Sequence, residues 1–146
     1  MFADLLKRLT QPEPAPLQDA DARLALTALL VRIAKSDGDY ADVEIELIEQ
    51  LIGARYGLSA SQVDVLRADA EGLEKEAPDT VRFTRAIKNA VPYVDREAVI
   101  EALWKIALAD GERDAEENAL LRLVADLLGI NDRDSNIVRR RVEAQM

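Results

Sequence analysis

Carboxylates crowd two short stretches of the chain: Asp37, Asp39, Asp42 and Glu44 in the first, and Asp110, Glu112, Asp114, Glu116 and Glu117 in the second. Two kinds of chemistry suit them. An Asp before a Gly ends one helix, an Asp caps the next, and an acid in a first helical turn complements the positive end of the helix dipole. Alternatively, several carboxylates on a short turn beside backbone carbonyls form the hard oxygen set that Ca²⁺, Mg²⁺ or Mn²⁺ prefers, whereas Zn²⁺ favours His or Cys. Carboxylates held this close repel one another, and a bound divalent cation would relieve that repulsion. Neither stretch is an EF-hand. With Gly38 at the sixth loop position, Asp37 and Glu44 fall correctly at the fifth and twelfth, but Ile33 and Lys35 occupy the first and third. Ile106 and Leu108 stand there in the second stretch.

The acids belong to an internal repeat. Leu30-x-x-Ile33-Ala34-x-x-Asp37-Gly38 recurs as Leu103-x-x-Ile106-Ala107-x-x-Asp110-Gly111. The match continues through Asp42-x-Glu44 and Asp114-x-Glu116 to Leu51/Leu123 and Gly57/Gly129, with one extra residue in the first loop. Each copy reads as an apolar helix, an acidic turn and a second apolar helix, an αα-hairpin that cannot bury its apolar face alone. The two hairpins are expected to pack together as the core.

Apolar spacing and capping residues supply the elements that position these turns. A helix opens at Asp19 or Asp21, carries Leu26, Leu29, Leu30, Ile33 and Ala34 inward, and ends at Asp37-Gly38. The next starts near Asp42 with Ile45, Ile48, Leu51, Ile52 and Tyr56, and stops at Gly57. Ser59 caps a third helix holding Val63, Leu66, Ala70 and Leu73. Asp79 starts a fourth, with Val81, Ile87 and Val91 inward until Pro92. Asp95 is expected to cap a fifth through Val99, Leu103 and Ile106. A sixth follows from Asp114 with Leu120, Leu123, Val124 and Leu127, stopping at Gly129, and a last after Asn131 holds Ile137 and Val142. No stretch alternates with period two between hairpin signals, so the fold class is all-α, a compact bundle of about seven helices built around two repeated αα-hairpins. Gln11-Pro12-Glu13-Pro14-Ala15-Pro16 cannot continue a helix. Residues 1–18 therefore read as a short amphipathic segment and linker, and residues 19–146 as the helical domain.

Composition narrows the function. At 146 residues the chain can bury roughly 68–70% of its unfolded surface, enough for a conventional core. With no Cys and no His, disulfides, thiol catalysis and imidazole or thiolate metal sites are excluded. A net charge of -9 repels phosphate backbones and anionic membrane surfaces, so nucleic acid is not an expected partner. No run approaches the ~20 apolar residues of a membrane span, and the start Met1-Phe2-Ala3-Asp4-Leu5-Leu6-Lys7-Arg8 has no basic leader pattern, so a cytoplasmic location is expected. There is no Gly-x-Ser-x-Gly elbow, no Ser-x-x-Lys and no phosphate-cradling Gly pattern, and aromatics are only 4%, too few for a sugar-stacking cleft. The chain reads as a binding protein and not an enzyme.

The Ala-x-x-Asp-Gly turn with acids following is best seen in Ala109-Asp110-Gly111-Glu112-Arg113-Asp114-Ala115-Glu116-Glu117, and is duplicated as Ser36-Asp37-Gly38-Asp39-Tyr40-Ala41-Asp42-Val43-Glu44. It resembles the hallmark of the TerB-like family, the bacterial tellurite-resistance protein B group. The resemblance runs from about Ala22 to the C-terminus, and the first copy departs from it in Ser36 and in its extra loop residue. It implies a compact helical cytoplasmic protein linked to tellurite resistance and stress, with divalent-metal binding by the acidic turns and association with a membrane-bound stress protein. Carried over by position, the implied metal ligands are Asp37, Asp39, Asp42, Glu44, Asp110, Glu112, Asp114 and Glu116. The alternative function is a metal-free structural adaptor whose acidic surface docks a basic or membrane-associated partner.

Three smaller features have structural readings. Phe2, Leu5, Leu6 and Leu9 share one face of the N-terminal segment, which is expected to dock on its own domain in preference to a membrane. Arg139-Arg140-Arg141 reads as a solvated face that also favours the end of the last helix. Trp104, inside an apolar stretch, reads as core.

Overall fold

In a computed structural model of the chain, the structure describes residues 5–7, 19–35, 42–77, 79–108 and 115–145, with the backbone alone described at 19, 43, 106–107 and 115–120. Seven helices follow a helical turn at 5–7: α1 (Asp19–Ala34), α2 (Asp42–Tyr56), α3 (Ala60–Glu76), α4 (Thr80–Ala90), α5 (Tyr93–Leu108), α6 (Ala115–Leu127) and α7 (Asp132–Gln145). No strand occurs among the described residues. No helix of theirs is long and apolar enough to cross a membrane.

The duplication extends one helix beyond the hairpins read from the sequence. After α2, Gly57 adopts φ 63, and the Leu58 N–H donates to the Gly53 carbonyl. After α6, Gly129 adopts φ 77, and the Ile130 N–H donates to the Ala125 carbonyl. A left-handed residue one place past the helix closes the same C-terminal motif in both copies, and glycine takes that conformation without a Cβ penalty. A polar cap then starts the third helix of each copy. Ser59 accepts from the Gln62 N–H while the Gln62 side chain accepts from the Ser59 N–H, and Asn131 Oδ1 accepts from the Asp134 N–H at 2.8 Å. The repeat is therefore α1–α2–α3 and α5–α6–α7, with α4 between them.

The first helices of the two copies pack on each other, α1 against α5. Contacts across the junction are reciprocal: α2 also packs on α5, and α6 on α1. Within each copy the first helix packs most extensively on the third, α1 on α3 and α5 on α7. This arrangement makes α1 central, and residues 25–31 are all buried along with Ile33 and Ala34. A helix that is apolar on every side belongs in the interior. Thr27, the polar residue in that run, is buried with its hydroxyl donating to the Arg23 carbonyl at 2.7 Å, which satisfies it. Leu5 is buried in the same core and Leu6 packs against it, so the N-terminal turn docks on the domain.

Three local readings need correction. Asp95 does not cap α5. The Pro92 carbonyl accepts from the Asp95 and Arg96 N–H groups, so the helix starts at Tyr93 and Asp95 lies in its first turn, paired with Arg55 at 3.3 Å. The inward face of α6 is Leu121, Val124, Ala125 and, just beyond its end, Leu128, whereas Leu123 is exposed. On α7 the buried residues are Ser135, Val138 and Val142, and Ile137 faces solvent. Both errors arise where apolar residues stand side by side, as in Leu120-Leu121 and Ile137-Val138, so that helical spacing fits two faces equally well.

Candidate functional site

The acidic turns lie between the first two helices of each copy. The first connects Ala34 to Asp42 through seven residues, 35–41, and the second connects Leu108 to Ala115 through six, 109–114, which preserves the one-residue difference seen in the sequence. Asp42 opens α2 and is exposed, and Glu44 follows in the same first turn, partly buried. Both stand where a carboxylate meets the positive end of the helix dipole. Asp37, Asp39, Asp110, Glu112 and Asp114 lie outside the described residues. Glu116 falls in the first turn of α6 by its backbone, its side chain being outside them too. Among the described residues no group of three or more carboxylates is placed to hold a metal ion. The structure thus brings Asp42 and Glu44 to one helix end.

The edge of the first turn holds a charge cluster that sequence spacing did not reveal. Arg32 and Lys35, at the end of α1, both reach Glu74 near the end of α3: Arg32 Nε to Oε1 at 3.3 Å and Lys35 Nζ to Oε2 at 3.0 Å. Arg32 Nη2 also donates to the Glu74 carbonyl at 3.1 Å. Glu74 is 9% exposed, and a carboxylate so buried requires this pairing. The guanidinium of Arg32 also lies 5.5 Å from the Phe83 ring centre, fixing it between α3 and α4. Glu74 thus ties the end of α1 to α3 through two cations. A lone Glu in a polar helix tail gave no signal, because its partners are 39 and 42 residues away.

Two of the clefts elsewhere are lined by charged side chains. One, of about 280 Å³, is lined by Arg23, Leu26, Arg55, Tyr56 and Asp95. Arg23 lies over the Tyr56 ring at 4.9 Å, and burial pushes the Tyr56 phenol above its ordinary value against the pull of Arg55 and Arg23. The other, of about 410 Å³, lies beside Trp104. Trp104 is core as expected, its indole N–H donating to Ser135 Oγ at 3.2 Å. The basic run of α7 divides, so it is not a uniform solvated face: Arg139 packs over Trp104 and pairs with Glu143, Arg141 pairs with Glu101, and Arg140 is exposed.

The described fold is thus a duplicated three-helix unit whose first two helices flank an acid-rich segment in each copy. The chain matches the family described as Tellurite resistance protein TerB over residues 23–140, a span that includes both turns, and it belongs to that family. Neither a curated protein nor a solved structure gives a significant match.

Proposed function

We propose that this TerB-family chain is a cytoplasmic, non-enzymatic binding protein that holds a divalent cation, Ca²⁺, Mg²⁺ or Mn²⁺ in preference to Zn²⁺, at its acidic interhelical turns. The observation that carries the reading is the duplication itself: carboxylates recur at matched positions of both turns, within the span matched by the family. Helix capping accounts for one or two acids at each turn, whereas each turn carries at least four. Their donor chemistry, all carboxylate with no imidazole or thiolate in the chain, suits a hard cation. Tellurite resistance, a stress response and a membrane-bound partner belong to this proposal through the family.

Thermal unfolding of chelator-treated protein, alone and with each of Ca²⁺, Mg²⁺, Mn²⁺ and Zn²⁺, tests it. At 100 times its dissociation constant an ion adds about 2.7 kcal/mol, a rise in Tm on the order of 5–10 °C for a domain of this size. The rise is expected in the wild type and absent in the Asp110→Asn/Glu116→Gln variant. No shift with any ion at millimolar concentration would leave the turns as helix caps and favour the metal-free adaptor.

A further inference from the structure

Helix α4, which joins the two copies, carries Arg82, Arg85 and Lys88 and no acid, in a chain whose overall charge is -9. The three cations are exposed at a spacing of three residues, on the side away from buried Phe83, Ala86 and Ile87. At its end this stripe meets the close of α6. Around the place that a Cβ would take on Gly129 stand Lys88 Cε at 3.1 Å, Arg96 Nη1 at 3.2 Å and Lys88 Nζ at 3.7 Å, which sets the two charged nitrogens within about 7 Å of each other. Arg96 is fixed there, since Nη1 donates to the Leu128 carbonyl and the guanidinium lies 5.2 Å from the Tyr93 ring centre. Its Nε is enclosed and has no acceptor. Lys88 donates to none of the described residues, and no carboxylate among them comes within 4.0 Å of either cation, Asp126 and Glu97 included. The matching glycine of the first copy, Gly57, has nothing within 4 Å, so this convergence belongs to the second copy alone.

We infer that Lys88 and Arg96 form a binding site for a phosphate-class oxyanion over Gly129, separate from the acidic turns. Two like charges this close lie inside the Debye length of about 8 Å at physiological salt, so they repel, and an anion between them turns that repulsion into two attractions. The donors are available: the Lys88 ammonium has three, and the Arg96 guanidinium gives one N–H to Leu128 and keeps its other Nη hydrogens. A tetrahedral oxyanion accepting at ~2.8 Å from each side spans the gap between them. Helix capping explains Arg96, whose bond to Leu128 satisfies a carbonyl at the end of α6, but not Lys88, which reaches the same place and caps nothing. The other cations of α4, Arg82 and Arg85, draw anions to this face of a chain that repels them overall. Two full positive charges favour a dianion over a monocarboxylate, and an open site of two cations binds in the millimolar range, on the order of 1–10 mM.

Backbone amide chemical shifts of the full chain, chelator-treated and titrated with inorganic phosphate at constant ionic strength, test this. The Leu128 and Gly129 amides should shift and saturate, with sulfate acting alike and acetate at least ~5-fold weaker, while the Gly57 amide, their counterpart in the first copy, stays in place. Lys88→Gln should weaken phosphate binding at least ~10-fold, the worth of one charge-assisted hydrogen bond, and leave the Tm unchanged. Lys88→Arg should retain the binding, and Arg85→Gln, one turn away, should change it no more than about twofold. A shift that does not saturate, equal movement at Gly57, acetate that binds as tightly as phosphate, or a Lys88→Gln variant that binds as the wild type does would overturn the inference. So would a lowered Tm in Lys88→Gln with no phosphate-dependent shift in the wild type, which would assign Lys88 to the helix dipole of α6 alone.

Discussion

The two copies of the repeat solve the same packing problem with different materials. Where the first and third helices meet in the first copy, Val31 on α1 and Val63 on α3 are both buried, and the end of the pair is tied by charge through Arg32, Lys35 and Glu74. At the positions corresponding to those valines the second copy has Trp104 and Ser135, joined by an indole hydrogen bond, with Arg139 stacked above. Volume removed from one helix is added to the other. The same trade occurs at the second helix, where Gly53 leaves only 3.3 Å between an added Cβ and Val63, while the matching positions of the second copy are Ala125 and Ser135. The backbone pattern is common to the two halves, and the means of closing it are not. Repeat architecture fixes which positions must be filled together, and leaves open whether apolar bulk, a hydrogen bond or an ion pair fills them.

Substitutions at matched positions can break this comparison. Trp104→Ala should cost about 3–5 kcal/mol, the toll of a large buried aromatic plus an orphaned Ser135 hydroxyl, whereas Val31→Ala should cost about 2 kcal/mol. Urea midpoints at unchanged m-value measure both; equal losses would mean that the two interfaces are closed alike after all. A smaller asymmetry is expected at the helix-ending glycines. Both have positive φ, so alanine is strained at each by about 1 kcal/mol or slightly more. At Gly57 an added Cβ meets nothing within 4 Å, but at Gly129 it meets Lys88 at 3.1 Å and Arg96 at 3.2 Å. The Arg96 guanidinium donates to the Leu128 carbonyl, a bond that Gly129→Ala would disturb. Gly129→Ala should therefore lose about 2 kcal/mol against about 1 for Gly57→Ala.

Much of this was legible in the chain itself. Asp79, Ser59 and Asn131 before apolar periods, and Gly57 and Gly129 after them, are local signals whose physics needs no tertiary context, and they placed the helix ends. The repeat was legible for a related reason, because Asp-Gly turns tolerate few other residues. What escaped were features made by distance. Glu74 is one acid among many until α3 lies against α1 and brings Arg32 and Lys35 to it. Of the candidate ligands, Asp42 and Glu44 fall at the helix start that sequence assigned to them.

The smallest effect sharpens the comparison by pH. Tyr56 stands where the second copy has Leu128, and burial raises its phenol pKa above the unfolded value near 10. Its contribution to stability is complete below pH 10 and is lost as pH rises through the folded pKa, because the unfolded chain ionises first. Tyr56→Phe should make the alkaline decline shallower, by at most about 1.4 kcal/mol per pH unit. An unchanged decline would show that Tyr56 reaches water in the folded protein.

In the contact of α1 with α5, α2 touches the first helix of the other copy and α6 returns the same contact. That is the geometry of an isologous homodimer, each protomer offering the surface it receives. Here the two protomers are held in one polypeptide by α4, so the bundle can be regarded as a dimer made permanent by covalent fusion. Fusion frees the halves from having identical sequences, and each can acquire a face the other lacks while the reciprocal contacts of α2 with α5 and of α6 with α1 are kept.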